Sequence, residues 1–496
     1  MEAKIAGRRT ENPKGKCRNR ILFGPLVRVF LLAVMFAVAV LFAGCGGSSQ
    51  YPSRQTGGAY FYAPGMPSFE FQAIAGWEGQ QPGIYLRISL PNTSLVFLLE
   101  DGRYQARYEV IAQLLSEDGE RLLKEMVWPE TTTVVQYSGT QNKQPLVGDY
   151  FLPSEEGRFL LRVAVHDGNT GKSSILEQPV SIAPFHAHQP SIVSANLEVL
   201  KSDGASYQPL IPALLGGDYD SLRVSCVVHS PATGYQHTLR ISATTFPSDT
   251  SVAPAPSLFS PIQGSFPVFG VDFNSPDTVI MLTRSLSPAE GKTTVPVPIP
   301  RLLGGFYRFD ITLISRSVIY GDTAMTQTFD ATVFGTNFPK PLTIEDLIEP
   351  LVYIAGKSEM DTLREAGNLR ERKNRFDTFW LSEGASRQAA ANAIKQYYTR
   401  VEEANRFFST HKEGWRTDRG MIYIVLGPPV AVSHILQKEV WFYSNTEQDP
   451  VNTYVFTEAQ TRAESPLLRN YILNRQAYYE SGWQRALERW RRAAVF

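Results

Sequence analysis

The most distinctive local pattern in the chain is Gly414-Trp415-Arg416-Thr417-Asp418-Arg419-Gly420, followed by an apolar run, Met421 to Leu426, and then by Gly427-Pro428-Pro429. Its charged residues suggest chemistry. Asp418 is a candidate base, and Arg416 and Arg419 are candidate clamps for an anion, with Arg375 or Arg400 closing a charged cleft. Such a set would suit a hydrolase-like reaction. The same residues also have a structural account. Gly414 suits the left-handed position after a helix ending at Lys412 or Glu413, with His411 and Lys412 at its negative end. Trp415 would then pack on Phe407, Phe408 or a sheet. Thr417 and Asp418 would cap a turn closed by Gly420. Met421 to Leu426 is expected as a buried strand, stopped at Gly427 and Pro428 because proline cannot donate to a ladder.

Other reactive constellations are missing around this stretch. There is no Ser/His/Asp set, no HExxH, no phosphate-binding glycine loop and no Cys/His metal spacing, and His411 and His434 stand alone. No cofactor and no metal are expected. His186 and His188 alternate in Pro184 to Pro190, but zinc normally takes three or four protein ligands, so this segment reads as a linker. Cys226, between Val224 and Val227-Val228, reads as a buried strand thiol.

The elements that must position the motif are helical upstream and extended downstream. After Pro339-Lys340-Pro341 the apolar period changes from two to about 3.6. Thr343 with Asp346 resembles a capping box. Helices are expected at about 368–383, with Phe376, Phe379 and Trp380, and from Ser386 to about Lys412, with Ile394, Tyr397, Val401, Ala404 and Phe408 on one face. Glu402 and Arg406 are spaced for an ion pair. Val440 to Tyr443 and Thr453 to Phe456 read as antiparallel strands. The chain closes in a basic helix that packs Trp483, Leu487 and Trp490 on its own domain.

Ahead of this lie two stretches of period two, 69–188 and 191–338, each expected to be an all-β sandwich of immunoglobulin-like type. Gly305 to Leu313 parallels Gly157 to Val165, which suggests two related domains in series. The Pro- and Ser-rich residues 247–267 read as a loop of the second. The fold class is therefore multidomain: two sandwiches, then a C-terminal α+β domain at 342–496 with helices and a small antiparallel sheet.

The N-terminus reads as an address. Residues 1–44 hold eight Lys/Arg and two acids, and Val29 to Ala43 is uninterruptedly apolar. That is short for a bilayer span but suits a secretory signal. Leu41-Phe42-Ala43-Gly44-Cys45 resembles the bacterial lipobox, with Phe42 departing from the usual aliphatic residue. The resemblance implies lipidation of Cys45 and an outer-membrane lipoprotein facing the periplasm or cell surface. Residues 45–68, rich in Gly, Ser, Pro and Tyr, read as a tether. The 496 residues carry no net charge, but beyond the leader 40 basic residues face 46 acidic ones. A mildly acidic body argues against nucleic acid as a partner.

One resemblance spans residues 342–496. Phe379-Trp380, Tyr397-Tyr398-x-Arg400-Val401-x-x-Ala404-Asn405-x-x-Phe408, the Gly-Trp-Arg-Thr-Asp-Arg-Gly stretch, Ile422-Tyr423-Ile424, Gly427-Pro428-Pro429 and Glu439-Val440-Trp441-x-Tyr443 together resemble the GWxTD domain. Many members carry acids after the proline pair, where this chain has Val430-Ala431. The resemblance implies a bacterial envelope protein, often a lipoprotein with sandwich domains ahead of the motif, and it implies no particular reaction. The expectation is a membrane-anchored binding or assembly module with an envelope protein partner. A hydrolase using Asp418, and glycan binding by the sandwiches, stand as alternatives.

Overall fold

The computed structural model describes residues 67–494 apart from 68, 79–80, 142–144, 183–188, 201–205, 211–212, 217–218, 233, 258–269, 288–289, 366, 382–385, 430, 436–437, 445–448 and 460–464. Cys45, the leader, most of the tether, and His186 and His188 lie outside the described residues, as does the side chain of His434.

The first segment comprises β1 (Glu70–Glu78), β2 (Gln81–Pro91), β3 (Leu98–Glu100), β4 (Arg103–Ser116), β5 (Leu122–Val134), a helical turn α1 (Tyr137–Thr140), β6 (Pro145–Pro153), β7 (Gly157–Asp167) and β8 (Lys172–Ile182). One antiparallel sheet runs β1-β2-β6, the other β3-β4-β7-β8 with β5 also on β4. The period of two has its expected effect. Leu86 and Ile88 are buried while Tyr85 and Arg87, which alternate with them, are not, and both sheets give apolar residues to one core, among them Ile84, Val110 and Val163.

The second segment repeats this plan with β9 (Ser191–Leu200), β10 (Gln208–Pro209), β11 (Leu214–Leu215), β12 (Ser221–Ser230), β13 (Gln236–Phe246), β14 (Asp277–Leu286), β15 (Gly291–Ile299), β16 (Gly305–Arg316) and β17 (Thr323–Val333). The order β5-β4-β7-β8 recurs as β14-β13-β16-β17, and β1-β2-β6 recurs as β9-β12-β15. The sequence repeat marks equivalent strands. Gly157 (φ 145°) opens β7 opposite Ile182, and Gly305 (φ 156°) opens β16 opposite Val333. Cys226 lies buried in this segment's core, and burial pushes its thiol up to about 12.

The C-terminal part comprises α2 (Ile344–Ile348), α3 (Lys357–Arg364), α4 (Leu369–Leu381), α5 (Arg387–Phe408), α6 (Asp418–Leu426), β18 (Ala431–Ile435), β19 (Lys438–Phe442), β20 (Thr453–Glu458), β21 (Tyr471–Leu473) and α7 (Glu480–Arg491). The sheet is antiparallel in the order β18-β19-β20-β21. The Thr343–Asp346 capping box forms, Ser386 caps α5, and Glu402 pairs with Arg406 at 2.8 Å. Trp483 and Trp490 of α7 are buried in the domain's core.

Three expectations are corrected. Met421 to Leu426 belongs to helix α6, not to a strand. It is an apolar helix buried on every side from Asp418 to Val425, so it lacks the amphipathic period that identifies a surface helix. Helix α5 ends at Phe408, short of Lys412, and Gly414 opens a 3-10 turn without a positive φ. Residues 249–257 of the expected loop leave the second sheet segment and lie on the C-terminal domain, where Ala253 joins the core. No helix of the described residues is long and apolar enough to cross a membrane.

Candidate functional site

The corner between α5 and α6 is built on two glycines. A Cβ on Gly414 would overlap the carbonyl oxygen of Ala404 in α5, and a Cβ on Gly420 would overlap the carbonyl oxygen of Gly414. Close backbone approach, not a left-handed conformation, is what demands glycine at both. Thr417 is the N-cap of α6. Its hydroxyl accepts from the Gly420 N–H at 3.0 Å and donates to the Gly414 carbonyl at 2.7 Å, so it satisfies the helix end and the turn before it.

Trp415 is buried, but its partners differ from those expected. Its ring meets Tyr353 edge-on at 6.3 Å and carries the Arg416 guanidinium 4.3 Å above it. Its backbone N–H donates to Asn405 Oδ1 at 3.1 Å, its indole N–H to Glu413 at 3.0 Å, and its carbonyl accepts from Tyr353 at 2.6 Å. Asn405 also donates to the Pro339 carbonyl at 3.0 Å and so ties the corner to the start of the domain. The phenol of Tyr353 is held well above its usual range by burial.

The charged residues of the motif do not converge on one cleft. Asp418 accepts the Leu473 N–H at 2.7 Å and pairs with Arg475 through both carboxylate oxygens. Arg419 points elsewhere, to Glu439 at 3.3 Å in a buried pair, beneath the rings of Phe408 and Tyr471. Glu439 also accepts the Trp441 indole N–H at 2.6 Å. Arg416 bonds Glu413 at 2.8 Å. Arg400 donates to the Ile424 carbonyl at 3.1 Å, at the C-terminal end of α6, and lies over Trp490. Arg375 bonds Glu371 and the Thr362 carbonyl. Asp418 is thus brought together with Arg475, a residue whose position 57 places along the chain gives no local signal, and not with Arg416, Arg419, Arg375 or Arg400.

At the other end of α6, Gly427 takes a positive φ of 89°, and its carbonyl accepts from the Tyr443 hydroxyl at 2.7 Å. A Cβ there would lie 2.8 Å from Arg400 Nη2. Pro428 lines a shallow groove of about 440 Å³ with Lys395, Thr399, Arg400, Glu403 and Tyr423. The proline pair therefore ends a helix, where a strand end was expected.

The open side of the corner is occupied by the chain itself. Residues 249–257 cross it without regular secondary structure, ending in a turn at Pro256-Ser257, and are gripped mainly by backbone. The Ala253 N–H donates to the Arg416 carbonyl at 3.0 Å, Arg416 donates to the Thr250 carbonyl at 3.0 Å, and Lys412 to the Ser251 carbonyl at 3.0 Å. Arg475 donates to the Pro254 carbonyl at 3.1 Å and the Gln476 N–H to the Pro256 carbonyl at 3.2 Å. Lys412 also pairs with Asp249 at 2.9 Å, and Ser257 bonds Glu480. Burial pushes the Asp249 carboxyl up, but Lys412 and Ser251 outweigh it and hold the pKa below the usual value. His411 is buried against Gly270, and burial, with Lys412 beside it, drives its pKa down to about 3.

The comparisons agree with the motif. The model of the GWxTD domain matches residues 316–492, so the match begins at the end of β16 and takes in β17 as well as the helical part. No curated protein matches the chain. Among solved structures, red sea bream transglutaminase aligns at 8% identity over 53% of this chain and 31% of that one, with a TM-score of 0.16. The chain spans about a third of that protein, and the superposition carries no argument.

Proposed function

We propose, from the premise that residues 316–492 are a GWxTD domain, that this protein is a lipid-anchored module of the bacterial cell envelope that binds or assembles other components. In this reading the domain grips a chain segment by its backbone, and the two sheet segments ahead of it are immunoglobulin-like sandwiches that carry it. The observation that supports the reading is the course of residues 249–257 over the corner, held at four carbonyls and one N–H with few side-chain contacts. Backbone recognition of an extended segment is a common way for a domain to bind peptide. Cys45 supplies the lipid anchor in this reading, with the body on the periplasmic or outer face of the outer membrane, and crosslinking of the native protein would retain an envelope partner.

The binding reading is preferred to hydrolysis because Asp418 already holds Leu473 and Arg475 and faces no second acid, base or nucleophile of the motif. The two readings separate on Asp418→Asn. The binding account expects the variant to lose about 3 kcal/mol of stability in urea unfolding, as when one partner of a buried pair is removed. A variant as stable as the parent that loses only its cellular phenotype would favour chemistry at Asp418.

A further inference from the structure

The first sheet segment has an apolar end that nothing among the described residues covers. Leu99 is 63% exposed, Val135 70% and Tyr137 64%. Leu99 pairs with Tyr104, and Tyr104 with Val134, so Leu99, Tyr104 and Val134 share one face of the sheet, while Val135 follows the end of β5. Two residues along β4 on that face, Ala106 belongs to the core. The exposed end is thus the core face continued beyond its cover. Tyr137 extends it, meeting Tyr104 edge-on at 5.8 Å.

The chain comes into the domain at this same end. Glu70, the first residue of β1, pairs with Ser89, and the next residues of β2 lead to Pro91 opposite Pro145. Asn92 then donates to the Gly139 carbonyl at 3.0 Å, in the turn that carries Tyr137. Residues 46–66 separate Cys45 from the first described residue. For the tether that their composition suggests, that length corresponds to a root-mean-square span of about 25 Å. A lipid on Cys45 would therefore keep this end within reach of the headgroups, where even weak apolar contacts act at high effective concentration.

We propose that this end of the first sheet segment rests on the lipid bilayer, with Leu99 and Tyr137 in the headgroup–acyl boundary and the exposed Val135 beside them at the end of β5. The proposal rests on the lipidated Cys45 reading. Charges beside the patch are mixed: Arg107 pairs with Glu100 at 3.0 Å, and Asp101 adjoins them. The contact is therefore apolar and insensitive to salt, unlike attraction of a basic patch to anionic lipid.

The test uses the full lipidated chain carrying Val135→Cys, labelled with a fluorophore and reconstituted through its lipid into phosphatidylcholine vesicles that contain nitroxide lipid. Met281→Cys, on an exposed position of β14 in the second segment, is the control. The expected result is quenching several-fold stronger at 135 than at 281, unchanged by salt, and abolished when Leu99→Glu and Tyr137→Glu are added. Those additions leave the protein on the vesicles. Equal quenching at the two positions in a lipidated protein overturns the proposal. So does burial of the 135 label by concentration-dependent self-association without lipid, which would make the surface an interface between copies. Cys45→Ser reports separately on the anchor: if that variant stays on membranes in undiminished yield, the lipidation reading fails by itself.

Discussion

His411 shows how one side chain at the corner ties stability to pH. Its imidazole is buried between Gly270 and Lys412, its pKa is lowered to about 3, and Asp249 opposes that shift without cancelling it. An exposed imidazole takes a proton near pH 6.5. The folded protein refuses that proton and the unfolded chain accepts it. The contribution of His411 is therefore complete above about pH 6.5 and is lost progressively as the pH falls toward 3. Between about pH 6.5 and pH 5 the expected loss is about 2 kcal/mol, measured by urea unfolding, and His411→Asn should flatten that slope. The glycines of the corner illustrate what residue type alone leaves open. A sequence shows that Gly414 and Gly420 are glycines. It does not distinguish a left-handed cap from a close backbone approach, because the obstructing carbonyls of Ala404 and Gly414 are set by how α5 and α6 cross.

Helix α6 explains most of what the motif is at the level of elements. Three of the quoted sub-motifs supply contacts to it or to its flanks: Ala404 and Asn405 meet Gly414 and Trp415, Arg400 caps its last carbonyls, Glu439 takes Arg419, and Tyr443 takes Gly427. These residues thus define the packing of one buried helix. Arg400→Met should remove the charged donor to the Ile424 and Val425 carbonyls and cost about 2 kcal/mol of stability, read from the unfolding midpoint, with the rest of the fold retained. Helices α2, α4 and α5 were legible from the capping box at Thr343 and from the 3.6 period, as on the Tyr397–Phe408 face, whereas α3 went unread. The identity of α6 was not legible. A six-residue apolar run is ambiguous when its surface is buried, and Thr417, read as the cap of a turn, is the N-cap that settles it. Arg475 and residues 249–257 were also illegible as parts of the site, since neither periodicity nor spacing connects them to Asp418 and Arg416.

At the scale of the molecule, the second sheet segment and the GWxTD domain are joined by more than the chain between them. The segment 249–257 departs from one and is gripped by the other, so the corner sits at their shared surface. The duplicated strand order shows that the repeat read from Gly157 and Gly305 is architectural. The proposed anchor belongs to this scale too: if Cys45 carries lipid, replacing it with Ser should move the protein from the membrane to the soluble fraction on cell fractionation. The central claim is that the corner is a site for a chain segment held by its backbone, and hydrogen exchange over residues 249–257 of the full chain tests it most directly. The account predicts slow exchange at the Ala253 amide, which is bonded to the Arg416 carbonyl. Ala253→Glu should release that protection while α5 and α6 keep theirs. Exchange of 249–257 in the parent protein at the rate of an unstructured peptide would contradict the account.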